Sequence, residues 1–184
     1  MNIKYPNGYT LIELLVAMTV IITVGLIVVA ILVSSLRGTN KAASIENVRV
    51  NGNYAILQIS RMIEFAQGFE GVSANGADPY TITCPQASPT PIYTHIKIRS
   101  FDGGQTIFSC DLPGSKIASN GASLININDV TLTSCNFTCS RTNISQPPII
   151  GINFALNQKS SSSFFEKQAS IPFSTSVVIR NLNK

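Results

Sequence analysis

From Leu14 to Val33 the chain runs for twenty residues in which only Thr19, Thr23 and Gly25 dilute an otherwise apolar series. No charge falls inside that run. A helix rises about 1.5 Å per residue, so the run is roughly 30 Å long, the thickness of a bilayer's hydrocarbon layer. The apolar core of a cleavable export signal is shorter, about 7–15 residues, and ends at a small-residue cleavage site. Here the nearest small-residue break is Ser34-Ser35, after the whole run has passed. The stretch therefore reads as a helix that needs lipid, or an equally apolar protein surface, around it. A length of 184 residues leaves room for one globular domain besides that helix.

One carboxylate, Glu13, stands at the head of the run. An acid costs about 2.5–3.5 kcal/mol at the centre of a membrane helix and less near its end. Its neighbours give it meaning. Gly8 precedes the aromatic Tyr9, then Thr10, Leu11, Ile12, Glu13 and unbroken apolar residues. This pattern resembles the class III signal of type IV prepilins and type II secretion pseudopilins, over Gly8 to about Val33. The resemblance implies a polar leader cut after Gly8 by a membrane-embedded prepilin peptidase, which N-methylates the new first residue, Tyr9. Glu13 is then the fifth residue of the mature chain, the family's assembly acid. It would pair with the N-terminal amine of a neighbouring subunit, since a buried charge is tolerated chiefly when its partner is present. Two departures stand out. The family's usual first residue is Phe rather than Tyr, and no proline lies between Pro6 and Pro79 to kink the helix.

The charges near the span point both ways on topology. Lys4 lies before it and Arg37, Lys41 and Arg49 after it, which by the positive-inside rule alone places the N-terminus outside. The resemblance places it inside, because the peptidase acts at the cytoplasmic face. We take the second orientation: a single-pass cytoplasmic (inner) membrane protein with an extracytoplasmic C-terminal domain, later part of a pilus or pseudopilus fibre.

Beyond the span, Ile45, Val48, Gly52, Ala55, Ile56, Ile59, Met62, Ile63 and Ala66 recur at three- and four-residue steps, one stripe of an amphipathic helix. That helix is expected to run to about Gln67, with Gly68 as its stop. Together the two halves would make a rod of roughly 90 Å. Residues 69–80 read as loop, Tyr80 to Cys84 as a strand, and 85–91 as a turn-rich connection. Tyr93 to Phe101 and Thr106 to Cys110 alternate around Asp102-Gly103-Gly104, a hairpin signal. Residues 113–121 read as loop, 124–132 as one or two short strands, 134–146 as a Cys-rich loop, 149–157 as a strand, 159–163 as a serine-rich turn, and 170–181 as the last strand. The fold class is α+β: a long N-terminal helix packed on an antiparallel β-sheet domain. The divisions are 1–8 leader, 9–33 membrane and assembly helix, 34–68 amphipathic second half, and 69–184 β-rich extracytoplasmic domain. The order is similar to that of W/J-type minor pilins, with Leu57 to Ala66 and Arg180-Asn181 carrying the likeness.

Four cysteines, Cys84, Cys110, Cys135 and Cys139, all follow the span. Outside the cytoplasm they can form disulfides, and proximity in sequence favours Cys84–Cys110 and Cys135–Cys139. Zinc and free buried thiols are the rival readings. A C-x3-C spacing with a single histidine, His95, makes a poor zinc site, and no metal or cofactor is expected.

Nothing marks an enzyme. No serine lies in G-x-S-x-G, the aspartates Asp78, Asp102, Asp111 and Asp129 sit near turn residues, and no phosphate-binding loop is present. The sequons at Asn136 and Asn143 are short patterns that arise by chance. Charged residues are 12% and the net charge is +4, with Lys and Arg scattered rather than clustered, unlike a nucleic-acid binder. The expectation is a structural, minor pilin-like subunit. Its partners are the prepilin peptidase, other pilin or pseudopilin subunits, an inner-membrane assembly platform and, before assembly, membrane lipid. The alternative is a membrane-anchored binding module of a DNA-uptake or secretion system. Lys97 and Arg99, alternating on one strand, are its sole basic feature, and two charges are ordinary strand solvation.

Overall fold

A computed structural model of the chain describes residues 8–84, 90–143, 146–159 and 169–180. The leader before Gly8, most of the expected turns at 85–91 and 159–163, the end of the second sequon and Asn181 lie outside the described residues. The chain divides into two compact units, Met1–Asn40 and Lys41–Lys184. One helix, α1, spans Leu11–Glu64 and contributes to both.

In the first unit the helix is apolar around its whole circumference from Leu14 to Val33, and every described side chain is exposed. It is long and apolar enough to cross a membrane. Its hydroxyls are compatible with hydrocarbon. Thr19 Oγ1 donates to the Val16 carbonyl at 2.8 Å and Thr23 Oγ1 to the Val20 carbonyl at 2.9 Å. Each is satisfied within its own helix and makes no demand on water.

In the second unit α1 buries one stripe: Ser44, Val48, Gly52, Ala55, Ile59 and Ile63. Ile45, Ile56 and Met62 flank it, half-buried against the same core. The stripe is the one its sequence spacing predicts. The helix stops at Glu64, before the expected Gln67. There the Gln67 N–H is taken by the Arg99 carbonyl at 2.8 Å, and Gly68 opens a strand instead of ending the helix.

Among the described residues nine strands follow: β1 Gly68–Ser73, β2 Ile92–Tyr93, β3 His95–Arg99, β4 Gln105–Asp111, β5 Lys116–Ser119, β6 Ala122–Ser123, β7 Val130–Ser140, β8 Ile149–Gln158 and β9 Ser170–Val178. They form two antiparallel sheets, ordered β1-β3-β4-β5-β6 and β2-β7-β8-β9. The α+β class holds. The Asp102-Gly103-Gly104 hairpin joins β3 to β4, with the Gly104 N–H donating to Asp102 Oδ1 at 3.0 Å. β1 and β5 stand where loops are expected, and Tyr80 to Cys84 makes only an isolated bridge, Val72 to Thr81.

The largest correction is β7. Residues 134–140 are a strand, not a loop. Ser, Thr and Asn fill its solvent face, which hides an inward alternation of Cys135, Phe137 and Cys139, all buried. The pairing Cys135–Cys139 is thereby impossible. Four residues of strand span about 13 Å, whereas a disulfide needs Cα atoms about 4.4–6.8 Å apart. The disulfides are Cys84–Cys139 and Cys110–Cys135, with Cα separations of 5.1 and 5.6 Å, in place of both expected pairs. Cys110 lies on β4 and Cys135 on β7, so this bridge staples one sheet to the other across the core.

The helix meets the second sheet in close contact at Gly52. A Cβ there would lie 2.0 Å from Phe173 Cζ, so the ring rests on bare helix backbone. The same ring stacks on Phe154, with ring centroids 5.1 Å apart. In a solvated helix, Gly→Ala stabilises by about 1 kcal/mol. Here Gly52→Ala is expected to destabilise the domain by about 1–3 kcal/mol, because forced overpacking outweighs that gain. Chemical denaturation of the variant beside wild type checks the sign.

Candidate functional site

The N-terminal residues from Gly8 form the site the sequence singles out. Gly8, Tyr9 and Thr10 are not helical, and all three are exposed, with Tyr9 at 84%. Nothing stands within 4 Å of the position a Gly8 Cβ would take. The peptide bond between Gly8 and Tyr9 therefore lies in open, non-helical chain just outside α1.

Thr10 starts the helix. Its carbonyl accepts from the Glu13 and Leu14 N–H groups at 3.1 and 3.2 Å, and its hydroxyl accepts from the Glu13 N–H at 3.3 Å. The Thr-x-x-Glu spacing is that of a capping box, of which only the Thr10 half is made: the hydroxyl caps the Glu13 N–H, and the Glu13 carboxylate does not reach back to the Thr10 N–H. Capping satisfies part of the set of N–H groups that a helix start leaves open. The carboxylate also lies at the positive end of the helix dipole, where an acid is favoured. The Thr10 signal was present in the sequence and went unused there. Among the described residues, the Glu13 carboxylate has no hydrogen-bond or ion-pair partner.

The other flagged residues do not gather into a site. Lys97 and Arg99, the two basic residues that alternate on β3, are each held by an acid from elsewhere. Lys97 Nζ lies 3.6 Å from Asp78 Oδ1 and 5.2 Å from the centre of the Tyr80 ring. Arg99 donates from Nε and Nη2 to Glu70 Oε1 at 3.0 and 2.9 Å, and Gln105 completes that carboxylate at 2.9 Å. Asp102 and Asp111 cap turns through the Gly104 and Gly114 N–H groups, and Asp129 accepts from Asn126. The four cysteines are all in disulfides. No cluster of three or more His, Cys, Asp and Glu side chains suited to a metal occurs among the described residues.

One pairing escaped sequence reading altogether. Arg180, just past β9, meets Glu64 at the end of α1 through both backbone and side chain. Its N–H donates to the Glu64 carbonyl at 3.1 Å, and its guanidinium pairs with the Glu64 carboxylate. A helix-end carbonyl is satisfied and the last strand is tied to the helix. Nothing local in either residue signals a partner 116 positions away in the chain.

Among the described residues, the titration of His95 and Tyr80 is displaced. Burial pushes the Tyr80 phenol above its ordinary range, and the nearby Asp78 charge adds to this. Burial pulls His95 below its usual 6.5. The His95 ring lies over Gly76, and its Nδ1 is 2.7 Å from the Thr94 hydroxyl. That hydroxyl donates its one hydrogen to the Ala74 carbonyl at 2.7 Å, so Nδ1 carries a proton and donates.

Comparison with protein-family models, curated proteins and solved structures finds no match to this chain.

The His95 environment sets a pH dependence. Above its ordinary 6.5 the group is neutral in both folded and unfolded chains and contributes nothing. As pH falls below 6.5 the unfolded chain takes up the proton first, so the folded state loses stability until its own lowered value is passed. Melting temperature should fall between pH 7.5 and 5.5 more steeply for wild type than for His95→Gln. Equal slopes would show that the imidazole's burial has no such effect.

Proposed function

We propose that this chain is a structural subunit of the type IV pilin and pseudopilin kind, in a minor rather than a bulk position in its fibre. It is cut after Gly8 by a prepilin peptidase, N-methylated at Tyr9, and held in the cytoplasmic membrane by the first part of α1, with the two-sheet domain outside. It then moves into the fibre through that helix. One observation carries the reading. Glu13 is the single acid at the head of a helix with no buried residue before Ser44, and its carboxylate has no partner among the described residues.

In that setting the first turn favours the charge only in part. A helix dipole is worth about 0.3–1 kcal/mol to an exposed acid, less than the cost of carrying a carboxylate deep into hydrocarbon. A cation supplied by a neighbouring subunit removes the difference. The amine of a mature chain starting at Tyr9 is such a cation, and it exists only after cleavage. Processing and pairing are thereby coupled: an uncut subunit has no amine to offer. The exposed, non-helical Gly8-Tyr9 bond supports access by a protease. Lys97 and Arg99, the basic pair behind the nucleic-acid-binding alternative, each already lie in an ion pair with an acid, which weighs against that reading.

The test is mass spectrometry of the N-terminal peptide from membrane-extracted protein, beside fibres from a strain carrying Glu13→Leu. The expected mature chain starts at N-methyl-Tyr9, and the variant is processed but depleted from fibres at least about tenfold, the factor that about 1.4 kcal/mol of lost pairing gives. A chain still starting at Met1 in a strain with an active prepilin peptidase overturns the reading. Incorporation of Glu13→Leu at wild-type levels overturns the pairing.

A further inference from the structure

Asn7, Asn51, Asn75 and Asn120 each precede a glycine in the chain. In such a step no Cβ on the second residue hinders the approach of its nitrogen to the asparagine side chain. That nitrogen can close a five-membered imide on Cγ and expel the side-chain amide as ammonia. Asn7 lies outside the described residues. The fold treats the other three steps differently.

Two of them are locked. The Asn51 amide is held at both ends: Nδ2 donates to the Asn47 carbonyl at 3.0 Å, and Oδ1 accepts from the Asn126 N–H at 2.9 Å. Its glycine, Gly52, lies within α1 under the Phe173 ring. The Asn120 amide is also held at both ends. Oδ1 accepts from the Ile107 N–H at 2.8 Å, and Nδ2 donates to the Gln105 carbonyl at 3.3 Å. Both of those partners are backbone groups of β4, so the side chain is tied to the neighbouring strand.

Asn75 is arranged otherwise. It is exposed, in the bend that follows β1. Its Oδ1 accepts from the Ser73 hydroxyl and from the Ala77 N–H, each at 3.1 Å. Two donors on that oxygen draw electrons from Cγ and stabilise the oxyanion formed when a nucleophile adds there. The nucleophile is the Gly76 nitrogen, and its N–H donates to the same Ser73 hydroxyl at 3.1 Å. One oxygen thus touches both reacting groups. It can accept the proton from nitrogen and pass its own to the oxyanion. When that hydroxyl turns to the Ala77 carbonyl at 3.2 Å, the Ala77 N–H still holds Oδ1. Ser73 is 7% exposed at the end of β1, so the relay is anchored in the sheet. Gly76 has φ +78°, and a Cβ there would lie 2.8 Å from His95 Nε2, so the position calls for glycine.

We propose that Asn75-Gly76 is a self-modifying step, at which the fold promotes deamidation through Ser73. The bond from the Gly76 nitrogen to Cγ forms, and the bond from Cγ to Nδ2 breaks. Ammonia leaves with the hydrogen given up by Gly76. Water then opens the imide. Opening at Cγ leaves an ordinary aspartate at position 75, and opening at the α-carbonyl carbon leaves an isoaspartate. Water is the only co-reactant. Either product adds a negative charge to the connection whose Asp78 pairs with Lys97.

The test follows conversion in the full-length protein in detergent micelles. Samples held at mildly alkaline pH, in buffer and in urea, are mapped over time by peptide mass spectrometry. Each step then has its own unfolded reference. In buffer Asn75 is expected to convert at or above its rate in urea. Asn51 and Asn120 are expected to fall at least about tenfold below theirs, a barrier difference of about 1.4 kcal/mol. Ser73→Ala should slow Asn75 in buffer, and Ser73→Thr, which keeps the hydroxyl, should retain the rate. A loop that reacts only because it is free would react as fast or faster in Ser73→Ala, and that result would overturn the proposal. The slow conversion of Asn51 and Asn120 reports in the same digest that a variant is folded. If Ser73→Ala does not fold, wild type decides alone: an Asn75 rate in buffer well below its rate in urea overturns the proposal.

Discussion

A helix that is apolar all the way round cannot be at rest in water. From Leu11 to Val33 the present helix has no polar face, and its only carboxylate is Glu13 at the start. From Ser44 onward the same helix has one buried stripe and an otherwise exposed surface that includes Asn47, Arg49, Asn53 and Arg61. The change of pattern happens without a break in the hydrogen-bonded backbone. Two solvents are therefore written into one element: hydrocarbon or a partner's apolar surface for the first part, and a β domain's core for the second. The rest of the protein's organisation follows. The second part needs strands to cover its stripe, and the first part has no cover among the described residues.

Helical periodicity made that division legible. Every buried stripe position from Val48 to Ile63 was marked by apolar spacing alone, including Gly52, where the Phe173 ring meets the helix. The hairpin at Asp102-Gly103-Gly104 was legible because its turn chemistry is local. β7 was not. Its outward residues are small and polar, as a loop's are, and a two-residue alternation of Cys and Phe is a weak signal beside them. Reading β7 as a loop also misled the disulfide pairing. In a loop, four residues can close on themselves; in a strand they are held about 13 Å apart. Secondary structure had to be right before the cysteines could be.

The charged residues show the same limit from another side. Thr10 and Glu13 are three positions apart, and their capping interaction follows from that spacing. Lys97 with Asp78, Arg99 with Glu70, and Arg180 with Glu64 come from distant stretches brought together by the sheets and the helix end. From the sequence, Lys97 and Arg99 were two cations available to a partner. In the fold each lies beside an acid. A basic pair on a strand says little about a ligand until the acids on neighbouring elements are known.

β7 is also where the domain's two covalent ties converge. Cys135 and Cys139 point to the same side of the strand, and each reaches a different element: β4 of the other sheet, and Cys84 at the end of a long connection. That connection, from Ala74 to Cys84, has almost no regular structure. It is held by the Val72–Thr81 bridge, by Asp78 and Tyr80 on Lys97, and finally by Cys84. A chain with few charges and a modest core gains from such closure, because tying a long segment removes entropy from the unfolded state that weak surface contacts could not offset. The two bridges thus make an irregular connection compatible with a stable domain.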